Sequence, residues 1–248
     1  MSSASYKRWV AYAALIALSA LSAGCATGSN ANPKDPLEPM NRSISKFNDA
    51  LDDNILKPVA TGYRDYTPQP VQTGVGNFFR NLSDVFSTVN NGLQLKGRET
   101  AESLMRVVVN TTLGIYGIFD VATEIGLERH PEDFGQTLGY WGVPDGPYLV
   151  LPVFGPSTVR DSSVLPLEFS TDYVTKHDNV AERNVAVAAR IVDRRASLLQ
   201  TTGLLSGAAI DKYSFTRDGY LQFRRNQVYD GNPPDEDQLE DPSAPSAK

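Results

Sequence analysis

Between Phe134 and Val159 the chain reads FGQTLGYWGVPDGPYLVLPVFGPSTV, and Asp145 is its only charged residue. Glycines and prolines interrupt this stretch too often for one long helix, yet it carries Phe134, Tyr140, Trp141, Tyr148 and Phe154. Backbone groups that no helical ladder can pair, in so apolar a setting, need partners deep inside protein or a lipid boundary covered by helices. Any fold for this chain has to give the stretch one of these two homes.

The start of the chain bears on which. Lys7 and Arg8 precede an apolar run from Trp9 to Leu21, shorter than the roughly 20 residues that span a bilayer, so residues 1–24 read as an export signal. Leu21-Ser22-Ala23-Gly24-Cys25 follows, and Cys25 is the only cysteine. This resembles the lipobox of bacterial lipoproteins, with Ser22 in the place usually held by a branched aliphatic and Leu21 one position further back. An ordinary secreted chain with a free thiol is the alternative; a lone cysteine beside a cleavage site favours lipid attachment at Cys25. One acyl chain anchors marginally, whereas two or more anchor durably. Ala26 follows the cysteine in place of an aspartate, which in lipoprotein sorting is an outer-membrane address. Residues 25–34 are small and polar, a lipidated tether.

Beyond the tether, residues 35–230 are long enough for one domain with a real core. The formal net charge of −6 comes without a basic face, which argues against nucleic acid. Asp235, Glu236, Asp237, Glu240 and Asp241 stand among prolines in residues 231–248. Such a composition buries too little apolar surface to order itself, so this reads as a disordered acidic tail or as a docking strip for a basic partner.

Periodicity within the domain is helical. Ile44, Phe47, Ala50, Leu51 and Ile55 recur at three- and four-residue steps, which predicts an amphipathic helix from Asn41 to near Pro58. A second helix is predicted over residues 71–89, where Val75, Phe78, Phe79, Leu82, Val85, Phe86 and Val89 cover more than half the circumference. So wide an apolar surface faces two neighbours or a membrane. Further helices are predicted at 98–112, 121–127, 180–199 and 208–228. No useful run alternates apolar and polar residues, so no sheet is expected and the fold class is all-α, with long irregular connectors.

Catalytic patterns are missing. His130 and His177 have no Cys, His or acidic partner at metal-ligand spacing, so no metal is expected. Gly92 to Glu99 has the glycine spacing of a phosphate loop but Arg98 and Glu99 where Lys and Ser or Thr are required. Gly155-Pro156-Ser157-Thr158-Val159 lacks the second glycine of a nucleophile elbow, which leaves a lipoprotein esterase built on Ser157 as a poor fit. Gly74-Val75-Gly76 lacks the third glycine and the preceding strand of a dinucleotide site, and no cofactor is expected. Tyr140, Trp141, Tyr148 and Phe154 are membrane-interface candidates, since Tyr and Trp pair an apolar body with a polar edge; as core aromatics, the tyrosines and Trp141 would each need a buried hydrogen-bond partner.

Several long blocks carry a resemblance. Asp35-Pro-Leu-Glu-Pro-Met-Asn-Arg42, Leu56-Lys-Pro-Val-Ala60 with Gly62-Tyr-Arg64, Gly74-Val-Gly-Asn-Phe-Phe-Arg-Asn-Leu82 and Asn110-Thr-Thr-Leu-Gly114 are similar to the MlaA (VacJ) family. So are Glu132-Asp-Phe-Gly-Gln-Thr-Leu-Gly139, Gly146-Pro-Tyr-Leu-Val-Leu-Pro152 and Gly155-Pro-Ser-Thr-Val-Arg-Asp161. The resemblance implies a ring- or disc-like helical domain embedded in the inner leaflet of the outer membrane, with a polar channel. It implies an outer-membrane lipoprotein, not an enzyme, that removes mislocalised phospholipid from the outer leaflet. Implied partners are phospholipid, a trimeric porin and a soluble periplasmic lipid carrier (MlaC-like). A structural envelope lipoprotein that moves nothing is the alternative.

Overall fold

The computed structural model describes residues 32–206 and 210–234. The export signal, Cys25, most of the tether and the acidic tail from 235 lie outside the described residues.

The first helix, α1 (Glu38–Leu51), starts with Pro39 in its first turn, where a missing N–H costs nothing. Pro58 does not end it as the sequence predicts. A π-helical turn (Asp52–Leu56) shifts the hydrogen-bond register, so Pro58 falls in the first turn of a new helix, α2 (Lys57–Tyr66). A short break at Thr67 and Pro68 leads into α3 (Gln69–Leu93), which packs against α4 (Gly97–Thr112). The short α5 (Val121–Glu124) is N-capped by Asp120, and α6 (Phe134–Tyr140) by Asp133. A hairpin of β1 (Tyr148–Leu151) and β2 (Gly155–Thr158) follows. Helices α7 (Val159–Thr171), α8 (Val180–Ser206) and α9 (Lys212–Val228) complete the described chain. The fold is therefore all-α in class, and among the described residues no helix is long and apolar enough to cross a membrane.

The hairpin corrects the expectation of no sheet. Its strands are antiparallel, with Tyr148 opposite Thr158 and Leu151 opposite Gly155. Two strands alone are marginal in water, and here side chains replace the missing third strand. On α1, Asn41 donates to the Tyr148 carbonyl (3.0 Å) and accepts from the Val150 amide (2.9 Å). Two helical turns later Asn48 repeats this, donating to the Leu151 carbonyl (2.9 Å) and accepting from the Val153 amide (2.8 Å). Because a helix edge of asparagines pairs β1, the strands need no alternating pattern, and sequence periodicity could not reveal them.

Packing follows a closed circuit: α1 against β1, β1 against β2, β2 against α7, α7 against α6, α6 against α3, α3 against α8, α8 against α2, and α2 back to α1 through the π-helical turn. Helix α9 lies against α6 and β2. Among the described residues, an apolar core of ordinary kind sits where α9 meets the hairpin, around Tyr148, Val150 and Tyr213. On α3 and α4 the polarity is reversed. On α3 the buried residues are Gly74, Asn81, Asp84, Ser87, Asn90 and Asn91, while Val71, Val85, Val89 and Leu93 are exposed. On α4, Ser103, Arg106 and Asn110 are buried beside Val109, while Leu104, Met105 and Val108 are exposed.

Candidate functional site

A buried charge costs several kcal/mol unless it is paired, so the inward polar face of α3 and α4 has to be a network. Asp84 accepts from Arg129 Nε (2.7 Å) and from Arg106 Nε (3.3 Å). Arg106 also donates to both oxygens of Asp120 and to the Leu127 carbonyl (2.7 Å). Asn110 donates to Asp120 (3.0 Å) and accepts from the Ala122 amide (2.9 Å), which ties α5 to the same cluster. Asp120 responds as a carboxylate so placed should: burial would raise its pKa, but Thr123, Asn110 and Arg106 hold it down at about 2.

A second network floors a cavity of about 210 Å³ between the hairpin, α6, α7 and α9. Its centre is Arg224 of α9, which makes a bidentate pair with Asp133 (2.6 Å to each oxygen) and donates Nε to Asp161 (2.8 Å). Both carboxylates are delivered by helix starts: Asp133 caps α6, and Asp161 lies in the first turn of α7, whose cap is Thr158. Asp161 also accepts from Tyr220 (3.0 Å) and from Arg160 Nε (3.0 Å). Arg160 in turn pairs with Asp145. Burial pushes the Asp161 carboxyl up, and the two arginines more than reverse it, leaving it below the usual carboxylate range. Two glycines one turn apart on α6 make room for these pairs. A methyl group at Gly135 would sit 2.4 Å from both Arg224 and Asp161, and one at Gly139 would sit 2.7 Å from Arg160.

The cavity is amphipathic. Asp133, Asp161, Arg224 and Glu168 line one side, and Leu151, Phe154, Pro156, Val164 and Leu165 the other. Glu168, partly buried on α7, makes no ion pair among the described residues. Burial first, then the Asp133 charge and last that of Asp161 push its carboxyl up to about 7, while Arg224 and the Phe134 N–H oppose them.

The residues singled out by sequence fall in different places. Tyr140 is 48% exposed with Lys96 Nζ 5.6 Å from its ring centre, and Trp141 is 57% exposed with its indole N–H 3.3 Å from the Leu93 carbonyl. Phe154 is 62% exposed at the cavity wall, 5.3 Å from the Phe169 ring. Tyr148 is a correction: at 1% exposure it is a core side chain, packed edge-on to Tyr213 and tilted against Tyr220, and cannot be an interfacial anchor. The reason is the hairpin, whose alternation turns Tyr148 and Val150 to the α9 side. Cys25 lies outside the described residues.

Ser157 does line the cavity, but its hydroxyl pairs with Ser162 (2.9 Å), and neither histidine lines that cavity. The sequence places no acidic partner at metal-ligand spacing from either histidine, but the fold gives each of them one. His130 Nε2 lies 2.6 Å from Glu102 on α4, and His177 Nε2 2.7 Å from Glu182. Glu102, Glu128 and His130 bring one possible ligand atom each within 4.8 Å of one another, so these are the described residues that could hold a metal ion. The fold makes these pairs across 28 residues of sequence in the first case, which spacing rules do not reach. No sequence spacing marks the charges of the cavity floor, which meet across 63 and 91 residues. For the α3 network a signal existed: Asn81, Asp84, Ser87 and Asn91 repeat at helical spacing.

Fold and site together define a helical protein whose α3–α4 pair is polar inside and apolar outside, with an amphipathic cavity between the hairpin, α6, α7 and α9. Residues 33–227 match the MlaA lipoprotein family. A relative in Rickettsia typhi is 45% identical over 127 residues, 51% of each chain, so the alignment spans about half the length of that protein. The intermembrane phospholipid transport system lipoprotein MlaA of Escherichia coli is 36% identical over 198 residues, 76% of each chain. Its counterpart in Haemophilus influenzae is 30% identical over 202 residues, 79% of this chain and 80% of that one. A solved structure described as the basis for maintenance of bacterial outer membrane lipid asymmetry superposes with a TM-score of 0.68 at 34% identity, covering 80% of this chain and 99% of that one. The chain belongs to the MlaA lipoprotein family.

Proposed function

We propose that this protein works in intermembrane phospholipid transport as an outer-membrane lipoprotein, anchored through Cys25 on the periplasmic side. In this reading it draws mislocalised phospholipid from the outer leaflet and passes it to a soluble periplasmic carrier, in company with a trimeric porin, and catalyses no covalent step. The observation that carries the proposal is the reversed polarity of α3 and α4, where Asp84 and Arg106 are buried and Val85, Val89, Leu104 and Val108 are exposed.

Physics favours such a body for this task. Taking both acyl chains of a phospholipid through water would expose roughly 30 methylenes at about 0.8 kcal/mol each, on the order of 24 kcal/mol. A conduit avoids this by leaving the chains in the bilayer while giving the headgroup a polar path. Apolar helix faces outside and charged networks inside meet both requirements. The exposed apolar turn after α4 adds to the lipid-facing surface: Leu113, Ile115, Tyr116 and Phe119 all point to the exterior, with Ile115 and Tyr116 in the left-handed region (φ 52° and 55°). Tyr140, Trp141 and Phe154 suit the headgroup zone next to such a surface.

Deleting the gene tests the proposal. Outer-leaflet phospholipid should accumulate and return to normal on complementation with the intact chain. Normal lipid asymmetry in the deletion strain would reject the transport reading and leave a structural lipoprotein.

A further inference from the structure

Within the transport reading, on which this inference rests, we propose that the cavity between the hairpin, α6, α7 and α9 is a headgroup subsite in which the Glu168 carboxylate receives the primary ammonium of an aminophospholipid. The charge balance of the cavity is the reason. Arg224 is committed on all sides, bidentate to Asp133 and through Nε to Asp161, and Asp161 is shared further with Arg160. Glu168 is the lining carboxylate without an ion pair among the described residues. A bare anionic headgroup entering here would meet Glu168 and find the guanidinium already occupied. An ammonium would supply the missing counter-charge with three N–H donors.

The rest of the wall fits the remainder of such a lipid. Leu151, Phe154, Val164 and Leu165 form the apolar side, where the glycerol end and the first methylenes would lie. At about 210 Å³ the cavity is below the ~300–1,000 Å³ of sites that enclose drug-sized ligands, which suits a headgroup and excludes two acyl chains. Phe154, paired with Phe169, stands largely exposed at the wall and leaves the chains a way to the exterior.

The titration of Glu168 adds a readout. The groups facing it are Asp133 from α6, Asp161 on its own helix, Arg224 from α9 and the Phe134 N–H, and with burial their balance leaves its carboxyl near 7. A carboxylate with a raised pKa is charged above that value and neutral below it, so ammonium binding should strengthen from about pH 6 to pH 8.

The test uses the full chain with its Cys25 anchor, stripped of co-purified phospholipid in maltoside micelles, and measures binding of dihexanoyl phosphatidylethanolamine, dihexanoyl phosphatidylglycerol and free ethanolamine by calorimetry. The ethanolamine lipid should bind about tenfold more tightly than the glycerol lipid at pH 8, and the gap should narrow at pH 6. Glu168→Gln should bring the two lipids level, while Glu168→Asp should keep part of the preference. Free ethanolamine should compete only weakly, since it lacks the apolar part; competition as strong as the lipid's own would mean a site for any small amine and would reject a lipid subsite. Equal binding of the two lipids by the wild-type chain, or a preference that survives in Glu168→Gln, would overturn the ammonium assignment and leave the transport reading intact. The wild-type pH dependence needs no variant, so a misfolded substitution does not shield the proposal. Failure of the wild-type chain to bind either lipid would overturn this subsite, while the transport reading stands or falls by the outer-leaflet phospholipid of the deletion strain.

Discussion

The α3–α4 pair and the hairpin–α9 unit solve the burial problem in opposite ways. Where α9 meets the hairpin, Tyr148, Val150 and Tyr213 form an apolar cluster of the kind a water-soluble domain builds. Between α3 and α4 the inward side chains include Asn81, Asp84, Ser87, Asn91, Ser103, Arg106 and Asn110, with Val109 beside them, while Val85, Val89, Leu104 and Val108 look out. Burying apolar groups is favourable only when the alternative is water. A helix pair that spends its inner face on ion pairs and leaves valines outside is arranged for a surrounding in which the outside is not water. The hairpin unit shows that the same chain can build an ordinary core where its surroundings are aqueous or protein.

This contrast can be broken at its strongest point by Asp84→Leu. If the α3–α4 interior were a conventional core, a leucine there would stabilise it. The network instead predicts a loss of about 3–5 kcal/mol, because Arg129 and Arg106 lose a buried counter-charge. Thermal unfolding followed by circular dichroism in detergent micelles measures this. On the other side of the comparison, Tyr148→Ala should cost about 3 kcal/mol through the cavity it leaves, without altering membrane affinity. A change in vesicle partition rather than in stability would restore Tyr148 as an interfacial side chain. A smaller effect is expected from Asn48→Ala, which removes the partners of the Leu151 carbonyl and the Val153 amide. That should cost about 1–2 kcal/mol and appear as faster amide exchange at the hairpin turn, with α3 and α4 unaffected.

The legible and illegible parts of this fold divide along the same line. Helical periodicity located α3 and α4, and the width of the apolar surface over residues 71–89 already posed the choice between two neighbours and a membrane. What periodicity cannot say is which face turns inward, and a hydrophobic stripe is read by habit as the buried one. Asn81, Asp84, Ser87 and Asn91, at steps of three and four, mark the inner face of α3 as clearly as the valines mark its outer one. The hairpin was hidden for another reason. Asn41 and Asn48 complete β1 from a helix more than a hundred residues away in sequence, so its strands carry no pattern of their own. The cavity floor shares that difficulty: Arg224 meets Asp133 and Asp161 across 91 and 63 residues. Glu168 could be recognised only once the charges around it were counted in space.

The reversed polarity of α3 is tested most directly by asking what its outer face touches. Cys25 is the only cysteine in the chain, and lipidation would block it, so a nitroxide placed at Val89→Cys in the mature protein would report alone. In bilayers of outer-membrane phospholipid, its collision rate with dissolved oxygen should far exceed that with a water-soluble nickel chelate, and a label at Lys46→Cys, on the exposed side of α1, should lack that excess. Equal access of the nickel chelate to both positions would place the α3 face in water and contradict the account.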